Sequence, residues 1–177
     1  MGLVRRTARL AALTGLAAWV LDRWLGDQAR GAVAPPIRTS ISVAAPIERV
    51  WAILADIERQ PAWMHDLKEV AVLSPGPIGV GTRATGRVQV FGLGVEDPVE
   101  ITAFEAPVHF AIRHDGLVRG SGDIRLAVND NGSTLVTWDE WLVPPALPHL
   151  GGLLLAMVFR PVFQRDLERL AGLAVGL

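Results

Sequence analysis

From Lys68 to Val143 the chain alternates strand-like and turn-like segments with no sustained helical period, and helical patterns flank that stretch on both sides. A run divided this way closes most simply as successive hairpins. Candidate strands are 68 to 74, 81 to 91, 95 to 105, 108 to 115, 118 to 129 and 133 to 143. The breaks carry turn chemistry: Pro75-Gly76-Pro77, Gly92 to Gly94, Ala106-Pro107, Asp115-Gly116 and Asp130-Asn131-Gly132. Links this short join antiparallel neighbours, which predicts a meander.

Before the meander, Ile37, Thr39, Ile41 and Val43 alternate with polar residues at the period of a half-buried strand. Pro46 then suits a first helical turn, Val50, Ile53, Leu54 and Ile57 recur at helical spacing, and a short second helix or turn is expected over 59 to 66. After the meander, residues 150 to 175 read as one long helix with Phe159, Phe163, Leu167, Leu170 and Ala174 as its apolar stripe. Pro161 inside it predicts a kink or local break near 157 to 161. The whole is an α+β chain with one core, divided into an N-terminal appendage, 1 to 36, and a folded domain, 37 to 177.

The appendage has an uncharged run from Leu10 to Leu21, preceded by Arg5, Arg6 and Arg9 and followed by Asp22 and Arg23. A run of this length is short for a spanning helix, which needs about 20 apolar residues. Several forms remain open. A spanning anchor has to include Trp24 and Leu25; a cleaved signal has only Ala32-Val33-Ala34, followed by Pro35, as a site. An interfacial helix fits the Arg-rich start and the helical spacing of Leu10, Leu13, Ala17, Val20, Leu21 and Trp24. A helix packing on its own domain is the plainest form. Membrane association through residues 3 to 25 is the favoured expectation, with a cytoplasmic chain as the alternative. Gly31 to Pro36 reads as a linker stiffened by two prolines.

Several functions are argued against. Residues 1 to 36 hold five Arg against two Asp, but the remainder holds twelve Lys and Arg against sixteen Asp and Glu, so the folded part lacks the basic footprint of a nucleic-acid binder. Without cysteine there are no disulfides, thiolate nucleophiles or Cys-based metal sites, and without tyrosine there is no phenolic acid. No phosphate-binding loop, dinucleotide fingerprint, nucleophile elbow or H-E-x-x-H motif occurs. His109 and His114 fall on opposite faces of their strand and make no local metal pair. Neither a metal nor a cofactor is expected.

Alternation fixes which side chains face inward. In 118 to 129, Ile124, Leu126 and Val128 set the even positions inward, so Gly120 and Gly122 also face in and leave room for a ligand. Pairing through the Asp130-Asn131-Gly132 turn sets Leu126 opposite Val136, Ile124 opposite Trp138 and Gly122 opposite Glu140. Glu140 then projects over Gly122, with Arg160, His114 or water as candidate partners; a twist carrying it out past Pro144-Pro145 is equally open. His114 shares its face with Phe110 and Ile112, though Asp115-Gly116 marks a turn and favours a solvated imidazole. Trp51 and Trp138 read as core. Arg160, just before Pro161, either orients a polar ligand end or snorkels at the surface.

Ala45-Pro46-Ile47-Glu48-Arg49-Val50-Trp51 after the first strand, Trp63 in the second helix, Gly79-Val80-Gly81-Thr82, and Gly132-Ser133-Thr134-Leu135-Val136-Thr137-Trp138 come in an order that resembles the START-like, helix-grip superfamily. Within it the polyketide cyclase/dehydrase and lipid-transport branch is most similar. The resemblance spans residues 37 to about 175. It implies a seven-stranded curved antiparallel sheet gripping the C-terminal helix around a ligand cavity. It also implies that Trp63 lines that cavity and that His65, in the same short helix, lies over its entrance, although an exposed His65 beside Asp66 is the favoured reading of that residue.

A superfamily of carriers, cyclases, receptors and cochaperones defines a fold better than a function. The favoured expectation is a carrier or sensor of a lipid-like or polyketide-like molecule, held by Trp63, Phe110, Gly120, Gly122, Trp138, Glu140 and Arg160. The alternatives are a cyclase or dehydratase with Glu140 as general base and His65 or His114 as acid, and a cochaperone-like interaction module.

Overall fold

The protein is described as a computed structural model covering residues 2–28, 35–90 and 92–176. The Ala32-Val33-Ala34 site, most of the linker, the expected strand end at Phe91 and the final Leu177 lie outside the described residues.

In chain order the elements are α1 (Gly2–Gln28), β1 (Ile37–Val43), α2 (Ile47–Ala55), a 3₁₀ helix (Ile57–Ala62), β2 (Leu67–Val72), β3 (Arg83–Val90), β4 (Leu93–Glu105), β5 (His109–Asp115), β6 (Arg119–Val128), β7 (Thr134–Val143) and α3 (Pro148–Val175). The strands form one antiparallel sheet in the order β1-β7-β6-β5-β4-β3-β2. The meander supplies β2 to β7 as consecutive hairpins, and β1 closes beside β7. α2 and α3 pack against the resulting inner face.

Hydrophobic period and turn chemistry account for most of these boundaries. β1 buries Ile37, Thr39 and Val43 by simple alternation. α2 buries Val50, Trp51 and Leu54, and the amides of Arg49 and Val50 donate to the Pro46 carbonyl at its start. The expected second helix is instead a 3₁₀ helix that starts two residues earlier, and Pro61 within it has no amide to extend an α-helical ladder. Between β6 and β7, Gly132 takes φ +77°, and the Asn131 carboxamide oxygen accepts from the Ser133 amide and hydroxyl.

α3 runs unbroken from Pro148 through Pro161 to Val175, so of the expected kink or local break the break is absent. Its inner stripe places Leu167, Leu170 and Ala174 in the core with Val43, Val50, Leu54, Ile124, Leu126 and Val136.

The start of α3 is capped by another helix. Leu147 has no side-chain acceptor, and Pro148 brings no amide. The amides of His149 and Leu150 donate instead to Asp22 Oδ1 of α1, at 2.9 and 2.7 Å. A carboxylate at this position also meets the positive end of the helix dipole. Gly26, one turn after Asp22, lets the His149 ring approach so closely that an added Cβ would lie 2.8 Å from it. α1 therefore packs on the domain through its Asp22 side. Among the described residues no helix is long and apolar enough to cross a membrane.

Candidate functional site

Between the inner face of the sheet and α3 lies a cavity of about 450 Å³. β3 and β4 contribute Val88, Val95, Val99 and Ile101, β5 and β6 contribute Phe110, Ile112 and Ile124, and α3 contributes Leu155, Phe159, Val162 and Phe163. Trp63 and Trp138 form an aromatic wall, with ring centres 6.2 Å apart in an edge-to-face arrangement, and Phe163 lies 4.6 Å from Trp138 on the helix side. The lining residues that are exposed, Val95, Glu96 and Leu117, belong to the β3–β4 and β5–β6 hairpins. The cavity opens at that end.

The inter-strand register derived from alternation holds: Gly122 pairs with Glu140, Ile124 with Trp138 and Leu126 with Val136. Glu140 is 3% exposed and lines the cavity. Its Oε2 accepts the indole N–H of Trp138 at 2.8 Å. The room it occupies is the room a side chain on Gly122 would need, because a Cβ there would come within 2.6 Å of Glu140 Oε2.

The same glycine explains how two strands that are not neighbours share a site. β6 separates β5 from β7. Over Gly122 nothing intervenes, and His114 Nε2 reaches to 3.0 Å from Glu140 Oε1. On its other side His114 Nδ1 donates to Asp97 Oδ2 on β4 at 2.7 Å. An imidazole thus bridges two acids across four strands. Burial by itself would favour the neutral ring, but the hydrogen bond to Asp97 and the negative charge of both acids push its pKa up to about 10. His114 is accordingly an imidazolium at neutral pH.

One side of this bridge remains under-satisfied. His114 Nε2 and Glu140 Oε1 are close enough for an ion pair but lie off the line of a hydrogen bond, so neither has a directed partner among the described residues. Trp63 Nε1, buried in the adjacent wall, also lacks one. A donor, an acceptor and an indole N–H without directed partners thus lie buried in residues that line an apolar chamber.

Two sequence expectations fail, those for His114 and Gly120, and Arg160 and His65 take their surface alternative. His114 is not a solvated hairpin residue: its side chain is 14% exposed, because it continues the inward row of Phe110 and Ile112 and is enclosed between Asp97 of β4 and Glu140 of β7. Gly120 leaves no cavity space, since a Cβ there would meet the Trp141 carbonyl oxygen of β7 at 1.7 Å; the residue permits a close backbone approach instead. Arg160 and His65 are exposed and outside the cavity lining. Arg160 lies away from the inward stripe of α3, and His65 contributes its backbone amide, which donates to Asp166 on α3 at 2.9 Å. Trp63, Phe110, Gly122, Trp138 and Glu140 do line the cavity. His109 faces the other way and pairs with Asp123 at 2.9 Å.

Asp97 lies outside the site residues expected from sequence; its one signal there is that it interrupts the odd-numbered row of Val95, Val99 and Ile101, all of which line the cavity. Asp166 also lies outside them; it is buried in α3, and burial raises its carboxyl above the usual range.

A curved antiparallel sheet wrapped on a long C-terminal helix, with a chamber between them, defines a helix-grip protein. The family model for polyketide cyclase/dehydrase and lipid transport matches residues 35–175, and the chain belongs to that family. Among solved structures, the Zhui aromatase/cyclase of Streptomyces sp. R1128 is similar at 20% identity and TM-score 0.64, over 79% of this chain and 93% of that one. A START superfamily protein from Mycobacterium smegmatis is similar at 16% identity and TM-score 0.66, over 81% and 99%. A conserved protein from Geobacillus kaustophilus gives 17% and 0.62, over 78% and 94%. At such identities the likeness concerns the fold. No curated protein matches the chain in sequence.

Proposed function

We propose that the protein is a non-catalytic carrier or sensor of a hydrophobic, lipid-like or polyketide-like molecule, working near a membrane. The observation that carries this reading is the chamber itself: about 450 Å³, within the roughly 300–1,000 Å³ of small-molecule sites, apolar except for a few convergent polar groups. Binding would draw on about 25 cal/mol per Å² of apolar surface removed from water. The under-satisfied pair His114 and Glu140, with the Trp63 indole N–H, would fix one polar end.

Two experiments test it together. Native mass spectrometry of protein from its source cells should show a bound mass lost on denaturation. A polarity-sensitive naphthalene dye should bind the purified chain but not a Val88→Trp/Ile112→Trp variant, whose added rings fill the chamber. Absence of both a native ligand and dye uptake in the unaltered chain would end the carrier reading.

The acid–imidazolium–acid bridge supports a second reading, a cyclase or dehydratase acting on a β-carbonyl compound. In it, Glu140 Oε1 would take a proton from a carbon next to a carbonyl, and the His114 imidazolium would protonate the oxygen. Turnover unchanged in Glu140→Gln would remove it. The cochaperone-like reading requires a collapsed chamber, and it gains no support from this one.

A further inference from the structure

α1 packs on its domain with its less greasy side. Ala18, Asp22, Leu25 and Gly26 are its covered positions, and successive residues on a helix are about 100° apart, so these fall on one flank. Leu13, Leu16, Val20 and Trp24 fall on the opposite flank, and each is more than half exposed. A helix that merely completed the core would present the reverse. The Asp22 cap and the close Gly26–His149 approach hold it in this orientation.

We propose that α1 is an interfacial docking helix that lies along an anionic lipid bilayer with Leu13, Leu16, Val20 and Trp24 in the headgroup–acyl boundary. Charge points to lipid as the occupant. The first three turns of α1 carry Arg5, Arg6 and Arg9 and no acid, which complements phosphate headgroups. Further along, the Arg23 guanidinium lies 5.3 Å above the Trp19 ring, a cation and an amphipathic ring together at the edge of the apolar flank. Of the two acids in α1, Asp22 is engaged by α3. A second copy fits less well, because four exposed apolar side chains on one helix make a flank smaller than the ~800 Å² per partner of a standard interface.

The position suits the carrier reading, on whose membrane component this inference rests. α1 is tied to the first turn of α3, at the end of the sheet that also holds the β3–β4 and β5–β6 hairpins and the cavity opening. Leu93 and Leu117, at or beside the tips of those hairpins, are exposed as well. The proposed docking element and the opening are thus at one end of the molecule.

The full chain should float with vesicles of phosphatidylcholine containing about one-third phosphatidylserine, and less with phosphatidylcholine alone. A Leu16→Glu/Val20→Glu variant should lose vesicle binding by more than about tenfold, with its circular dichroism and naphthalene-dye uptake measured without vesicles unchanged. Vesicle binding equal in the variant and the unaltered chain would overturn the proposal, as would no binding to anionic vesicles at all. A dimer in sedimentation equilibrium that the variant abolishes, with no vesicle binding, would assign the flank to a second copy and overturn it too. Dye uptake is read separately, so loss of the docking proposal and loss of the carrier reading give different results.

Discussion

Glu140 Oε2 accepts the indole N–H of Trp138 from two positions back on the same strand face, at 2.8 Å. A residue that alternation places inward is thereby held by a residue that the same alternation places beside it. The carboxylate stays buried because its neighbour supplies a donor and His114 supplies a charge.

Gly122→Ala should be costly for so small a change. The new Cβ would lie 2.6 Å from Glu140 Oε2 and 3.4 Å from Ile112, so the carboxylate must leave its position. We expect a loss of about 1–3 kcal/mol in urea denaturation, and a stability equal to that of the unaltered chain would mean that Glu140 does not need the space.

The His114 ring should remain charged throughout the neutral range. Its pKa is raised above the ordinary 6.5, to about 10, so the stability it contributes is fully present below pH 6.5 and is lost as pH rises through about 10. An NMR titration of the imidazole C2 proton is the check, and a midpoint below 7 would contradict the bridge to Asp97 and Glu140.

Glu140→Ala should destabilise the fold by about 2–4 kcal/mol, because it leaves a buried imidazolium with Asp97 as its one remaining acid and a buried indole N–H without an acceptor. Glu140→Gln keeps an acceptor for Trp138 and should cost less. Equal melting of the two variants would show that the hydrogen bond carries little of the effect.

Asp22→Ala removes the cap of α3 and should cost about 1 kcal/mol. The loss should be local. Amide hydrogen exchange should speed up at His149 and Leu150 before it does in β6 or β7, and uniform acceleration would point to a global role instead.

His65→Ala and Arg160→Ala should leave naphthalene-dye affinity within about twofold, since both residues are exposed and outside the cavity. A tenfold loss in either would place it in the site.

What could be read from the sequence was mostly what depends on period. Strand alternation and the Asp130-Asn131-Gly132 turn fix the Gly122–Glu140 pairing, and the apolar stripe fixes which side of α3 faces the core. What could not be read depends on distance across the fold. The Asp97–His114–Glu140 bridge joins β4, β5 and β7, and no spacing along the chain reports that Gly122 clears the path between them. Asp22 and the amides of His149 and Leu150 are separated by most of the chain, so the capping of α3 is invisible to a local search for N-cap residues. At His114 the turn chemistry of Asp115-Gly116 competes with strand alternation, and alternation prevails.

The shared carboxylate of Asp22 ties the outer helix to the roof of the chamber. Two hydrogen bonds join α1 to the first turn of α3, whose next turns bring Leu155 and Phe159 to the chamber wall, so one side chain serves both the helix outside the sheet and the helix that lines the cavity.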